Sequence, residues 1–119
     1  MVDARPMKLP HANAARVERD KITDYLLNPL HRQGASKARF FTHFGFHIEA
    51  WERLAQALRE HGQAHEVIRG RESGFCPRFE VEGKLNCPNG RQPQVRTVWQ
   101  LDRGEVAPRL ITAYPLESE

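Results

Sequence analysis

Arg78-Phe79-Glu80-Val81-Glu82-Gly83-Lys84-Leu85 sets Phe79, Val81 and Leu85 on one side and Arg78, Glu80, Glu82 and Lys84 on the other. Successive side chains of a strand point to opposite faces, so this run reads as a half-buried strand. Upstream the period is different. Ile48, Trp51, Leu54, Ala55 and Leu58 recur at helical spacing, a stripe along one face of a helix that the pattern ends at Gly62. The switch falls near residue 65, with His65–Arg69 as a first strand. Gln94–Leu101 and Arg109–Tyr114 follow, set off by the turn signals Pro88-Asn89-Gly90 and Asp102-Arg103-Gly104-Glu105. Strands joined by short turns pair antiparallel. The fold class is therefore α+β, with N-terminal helices packed on a C-terminal antiparallel sheet of three or four strands.

Two shorter helices precede the long one. Asp20 is placed to cap the first, in which Ile22, Tyr25 and Leu26 share a face, and Asn28-Pro29 stops it. After the loop Leu30–Ala35, Ser36 is placed to cap the second, which bears Phe40, Phe41 and Phe44. Gly45-Phe46 has the form of a left-handed helix stop followed by an apolar residue. Trp51, Leu54, Leu58 and Phe40 are expected to be buried against Val95, Trp99 and Leu101. Residues 1–18, with Pro6, Pro10 and a run of small residues, read as a flexible arm, and residues 19–116 as a single domain.

The 119 residues suffice for one domain of ordinary size, and 39% hydrophobic content supports one modest core. No apolar run is long enough to span a membrane, and residues 1–18 lack the apolar stretch of a secretory signal. The expectation is a soluble, cytoplasmic protein, with export by another route or within a longer chain left open. Cys76 and Cys87 lack the paired spacing of a zinc site and read as ordinary thiols of a reduced compartment, needing no disulfide. His43 and His47 have ligand spacing but Gly45 between them, and His61 and His65 have Gly62, so no metal and no cofactor is expected. Phosphate-binding loops, dinucleotide fingerprints and the hydrolase nucleophile elbow are absent from the sequence.

The net charge is +3, and 14 of the 18 basic residues are Arg, which suits bidentate phosphate recognition and also follows from a GC-rich genome. The distribution says more. From Tyr25 to Ile48 there is no Asp or Glu, while Arg32, Lys37, Arg39, His31, His43 and His47 fall in that window. Such a window favours an anionic partner such as RNA. His31 sits in a loop and Lys37 and Arg39 in a first helical turn, where free N–H groups and cations together attract anions; a merely solvated basic helix start is the plainer alternative. In Gln94–Leu101, alternation puts Val95, Thr97, Trp99 and Leu101 on the covered face and Arg96 on the open one, free to hold phosphate or to pair with Glu80 or Glu82. In the last strand Leu110, Thr112 and Tyr114 fall on one face and Arg109, Ile111 and Ala113 on the other, unless a bulge intervenes.

Asn28-Pro29-x-His31-x-x-Gly34-x-x-Lys37-Ala38-x-Phe40-Phe41, then Gly45-Phe46, Val95–Trp99 and Pro108–Pro115, together resemble an uncharacterised bacterial domain family. That family occurs as small stand-alone proteins and as the C-terminal tip of polymorphic toxins, and the resemblance covers roughly residues 20–115. Its stand-alone genes tend to lie beside a small companion gene, which implies an antitoxin or immunity-type protein partner. More distantly, the chain resembles the barnase/EndoU/colicin/RelE-like ribonucleases, though without a clear counterpart of their His-containing motif. This second resemblance implies a metal-independent ribonuclease-like toxin that cleaves RNA by general acid/base catalysis. His31, Lys37, Arg96, Thr112 and Tyr114 would be its catalytic groups, and Arg39, Arg109 and Thr97 would hold substrate. The alternative is a non-catalytic RNA-binding or protein-interaction module paired with a small companion protein.

Overall fold

A computed structural model describes residues 8–73 and 76–116, with the backbone alone described at 71–73. Three helices precede a four-stranded sheet. They are α1 (Arg19–Lys21, continued by a π turn Ile22–Leu26), α2 (Ala35–His43) and α3 (Trp51–Ala64, entered through a 3-10 turn Ile48–Ala50). The strands β1 (Val67–Ser73), β2 (Cys76–Lys84), β3 (Gln94–Gln100) and β4 (Arg109–Pro115) lie in the order of the chain, every neighbouring pair antiparallel. The α+β class read from the change of period is the fold of the protein.

Two helices start earlier than their expected caps. α1 begins at Arg19 behind Glu18, not behind Asp20, and α2 begins at Ala35 behind Gly34, one residue before Ser36; neither start has a side-chain cap. The end of α2 is the motif expected. Gly45 takes φ 102°, its N–H reaches the Thr42 carbonyl at 3.0 Å, and the Phe46 N–H reaches that of Phe41 at 3.1 Å. The Phe46 ring then packs edge-on against Phe41, closing the turn with an apolar contact.

α3 does not stop at Gly62. A Cβ there would lie 2.7 Å from Cζ2 of Trp99, so glycine lets the helix pass over the indole, and the helix runs on to Ala64. This brings the His61 and His65 rings to 4.8 Å of one another, which an interrupted helix would have prevented. His65 Nε2 lies 2.9 Å from the Lys84 carbonyl, and both nitrogens of His61 are engaged. His61 is buried, and its Nε2 faces the carbonyls of Val95 (2.8 Å) and Gly83 (3.1 Å), so the ring proton sits on Nε2. Nδ1 accepts from the Thr97 hydroxyl at 3.1 Å, and Thr97 Oγ1 in turn accepts the indole N–H of Trp99 at 2.8 Å. These hydrogen bonds satisfy both ring nitrogens of His61, the Thr97 hydroxyl and the Trp99 N–H. Burial, and secondarily the neighbouring His65, lowers the pKa of His61 to about 4.

The core is one cluster under the helices. Phe79, Val81, Val95, Trp99, Leu110 and Ala113 of the sheet meet Ile22, Leu26, Phe41, Leu54 and Leu58. Trp51, Phe40 and Leu101, expected among them, are half-buried at its border, and Ile48 is exposed. Of the stretch read as an N-terminal arm, residues 1–7 lie outside the described residues and the remainder packs. Leu9, Ala15 and Val17 are buried, and Arg16 pairs parallel with the start of β4 through Arg16 N to Pro108 O (2.8 Å) and Leu110 N to Arg16 O (2.9 Å). No helix of the described residues is long and apolar enough to cross a membrane.

Candidate functional site

A bulge in β4 decides what the open face of the sheet carries. Val98 pairs with Thr112, but the next residue, Trp99, pairs with Leu110, leaving Ile111 as the extra residue. Leu110 and Ala113 both turn into the core, while Arg109, Ile111, Thr112 and Tyr114 remain half-exposed. The strict alternation expected for this strand, which grouped Leu110 with Thr112 and Tyr114, therefore breaks at Ile111.

Thr112 is met from across the sheet edge by Tyr25, whose hydroxyl lies 2.9 Å from Thr112 Oγ1. The π turn makes this possible. Leu27 N–H reaches back to Ile22 O at 2.8 Å, and the wider turn buries Ile22, Leu26 and Leu27 while leaving Tyr25 to point at β4. Gly34 lets the start of α2 press against the same residue, since a Cβ there would be 2.3 Å from the Tyr25 carbonyl oxygen. Tyr25 in turn stacks edge-on with His31, ring centroids 4.9 Å apart, and the ammonium groups of Lys21 and Lys37 each lie 5.4 Å from its ring centre.

His31 is held by the loop it belongs to. Its Nδ1 accepts the backbone N–H of Gln33 (2.9 Å) and of Gly34 (3.0 Å), an Asx-like turn that leads into α2. With Nδ1 so occupied, the neutral ring carries its hydrogen on Nε2, as a donor. Lys21, Tyr25, His31, Gln33, Ile111 and Thr112 line a cleft of about 390 Å³. A second groove, of about 210 Å³, shares Ile111 and Thr112 and continues over the open face along Val98, Tyr114, Arg78 and Glu80.

His31 and Thr112 thus come together, with Lys37 beside them at the Tyr25 ring and Tyr114 along the adjoining groove. The other expected site residues stand differently. Arg96 reaches the Tyr114 hydroxyl at 3.1 Å, but it is also paired with Glu82 and lies 3.6 Å from Glu80. Arg109 is committed to Asp102 at 2.8 Å, where Arg16 also approaches at 3.7 Å, and these guanidinium groups hold the Asp102 carboxyl well below the usual carboxylate range. Thr97 is buried on the covered face in the His61 chain, out of reach of any substrate. Arg39 lines a separate groove on the outer side of α2. Sequence reasoning missed Lys21 and Tyr25. Tyr25 lies on the apolar stripe of α1 and reads there as core; only its hydroxyl distinguishes it. Among the described residues, no three His, Cys, Asp or Glu side chains are grouped so as to hold a metal ion, and Cys76 and Cys87 are not joined in a disulfide.

No curated protein matches the chain. One chain of a solved structure, described as a contact-dependent growth inhibition toxin–immunity protein complex from Klebsiella pneumoniae 342, shares the fold. The TM-score is 0.69 at 15% identity, over 90% of this chain and 97% of that one. Over residues 8–117 the sequence matches the model of a domain of unknown function, DUF6883, and the chain belongs to that family.

Proposed function

We propose that this domain is a toxin-type effector that engages RNA phosphodiesters in the cleft between α1, α2 and β4, and that a small partner protein restrains it. The observation that carries this reading is the convergence of Lys21, Tyr25, His31 and Thr112 on one cleft, with the Lys37 ammonium beside it, 5.4 Å from the Tyr25 ring centre and 3.2 Å from the Gln33 carbonyl. Lys21 and Lys37 have no carboxylate partner among the described residues, so their charge is available to a phosphate, whereas Arg96 and Arg109 are neutralised in place. His31 Nε2–H and the Tyr25–Thr112 hydroxyl pair supply donors for its non-bridging oxygens. The adjoining groove, with Val98, Ile111 and Tyr114, offers a base a place to stack. A shared fold with a member of a toxin–immunity complex supports the pairing with a small protein.

In metal-free cleavage the 2′-hydroxyl attacks phosphorus, a base takes its proton, and an acid protonates the departing 5′-oxygen. His31 and the Tyr25–Thr112 pair are the groups in reach. A second reading, a non-catalytic RNA-binding or protein-interaction module, is favoured by His31 itself. Its Nδ1 is filled by two N–H donors and its Nε2 bears a hydrogen, so as it stands the ring donates and takes no proton.

Induced expression of the domain alone, with growth and total RNA followed, separates the readings. Growth arrest with RNA fragments, lost in Tyr25→Phe, His31→Ala and Thr112→Val, is the expected result. Loss of a catalytic acid or base typically costs about 10²–10⁴ in rate. RNA binding without fragments leaves the module, and neither arrest nor RNA binding removes RNA from the account.

A further inference from the structure

The loop Asn28–Gly34 has two sides. His31 faces the cleft, while Pro29 lines a groove of about 490 Å³ with Ala38, Arg39, Thr42 and His43 on the outer side of α2. Beside it Leu30 is 90% exposed, more than any other large apolar side chain described. A single exposed leucine is ordinary, but this one follows directly on Pro29 of an apolar groove. The charge around the groove has one sign. No Asp or Glu occurs between Tyr25 and Ile48, and exposed Arg32 and Arg39 have no carboxylate partner among the described residues, unlike Arg96 and Arg109 of the sheet.

We propose that this groove docks an acidic segment of the partner protein, an apolar side chain of the segment seated between Pro29 and Ala38 and its carboxylates facing Arg39 and Arg32. The proposal rests on the reading that a restraining partner exists, and names the surface and the chemistry by which it is held. Charge complementarity selects an anionic occupant. The apolar floor of Pro29, Ala38 and Thr42 selects an apolar protein side chain over nucleic acid, whose ribose and phosphate would gain nothing from it. Position supplies the restraint. Ala38 of the groove is next in sequence to Lys37 beside the cleft, and Pro29 is two residues from His31. A protein seated on the groove therefore holds the same loop and the same helix that carry His31 and Lys37.

Amide chemical-shift mapping on the full chain tests this with three probes: a synthetic amphipathic Leu/Glu peptide, its Leu/Lys counterpart, and a short oligouridine. The Leu/Glu peptide should shift Leu30, Ala38, Arg39 and Thr42 saturably, and the Leu/Lys peptide should not. Arg39→Glu should weaken the first by about tenfold, since reversal turns an attraction into a repulsion, and should admit the second. Arg39 is exposed, so the variant should fold, and its dispersed spectrum would show that it does. Absence of Leu/Glu binding, shifts elsewhere, or equal binding of both peptides would overturn the proposal. Groove shifts produced by oligouridine would make the surface one for nucleic acid, and groove shifts that grow with protein concentration alone would make it one for a second copy. Shifts of Tyr25 and Thr112 with oligouridine report on the cleft separately, so failure of one reading is distinguishable from failure of the other.

Discussion

Gly34 is the residue on which the cleft depends most and whose role is least visible in the sequence. It donates its N–H to His31 and leaves room for the Tyr25 backbone, so a single methyl at this position pushes the two walls apart. Gly34→Ala should destabilise the fold by about 1–3 kcal/mol, the usual effect of overpacking, and should abolish function more completely than its stability alone explains. Chemical denaturation beside the growth assay would separate the two effects. A destabilisation below a few tenths of a kcal/mol would mean that Tyr25 is not pinned there. His61 gives a prediction about pH. Its pKa falls from 6.5 to about 4 on folding, so the unfolded chain binds the proton more readily than the folded one. The stability that follows from keeping His61 neutral is complete above pH 6.5 and is lost progressively as pH falls through that value towards about 4. The loss is on the order of 3 kcal/mol. Urea unfolding across this window should show it in the native chain and a flatter profile in His61→Gln. Parallel profiles in the two would refute the assignment.

The elements were legible wherever a local period sufficed. Phe79 and Val81 fix the inner face of β2, with buried Leu85 just past its end, because the alternation is local, and Gly45-Phe46 ends α2 because the stop is built from its own neighbours. What failed depended on distant partners. The phase of β4 shifts at Ile111 because β3 pairs across it with one residue fewer, and no run of seven residues in β4 discloses that. Gly62 reads as a helix stop, since glycine costs about 1 kcal/mol inside a helix; its reason, the Trp99 indole, is 37 residues away. Gly62→Ala should therefore destabilise by about 1–3 kcal/mol rather than stabilise α3 by its better propensity. Thermal unfolding decides between the two signs. An increase in Tm would show that the helix can lift off the sheet at no cost.

For the molecule as a whole, the class, the order of helices and sheet, and the nearness of His31 to Thr112 could be anticipated, the last through resemblance more than through chemistry. The division of labour among cations could not. Net charge and an Arg-rich composition make Arg96 and Arg109 look like phosphate ligands, yet folding sets Glu82 and Asp102 against them and leaves two lysines, one unnoticed, without a carboxylate at the Tyr25 ring. The central claim is that this cleft, and no other basic surface, takes the phosphodiester. Salt-dependent binding of a labelled single-stranded oligoribonucleotide to the native chain, to Lys21→Gln/Lys37→Gln and to Arg39→Gln tests it most directly. The account predicts that affinity falls with salt and that the double variant loses affinity together with a log–log salt slope of about 1.4, two phosphate contacts at about 0.7 each for a single strand, while Arg39→Gln binds as the native chain does. Native-like binding by the double variant, or loss of binding in Arg39→Gln, would contradict it.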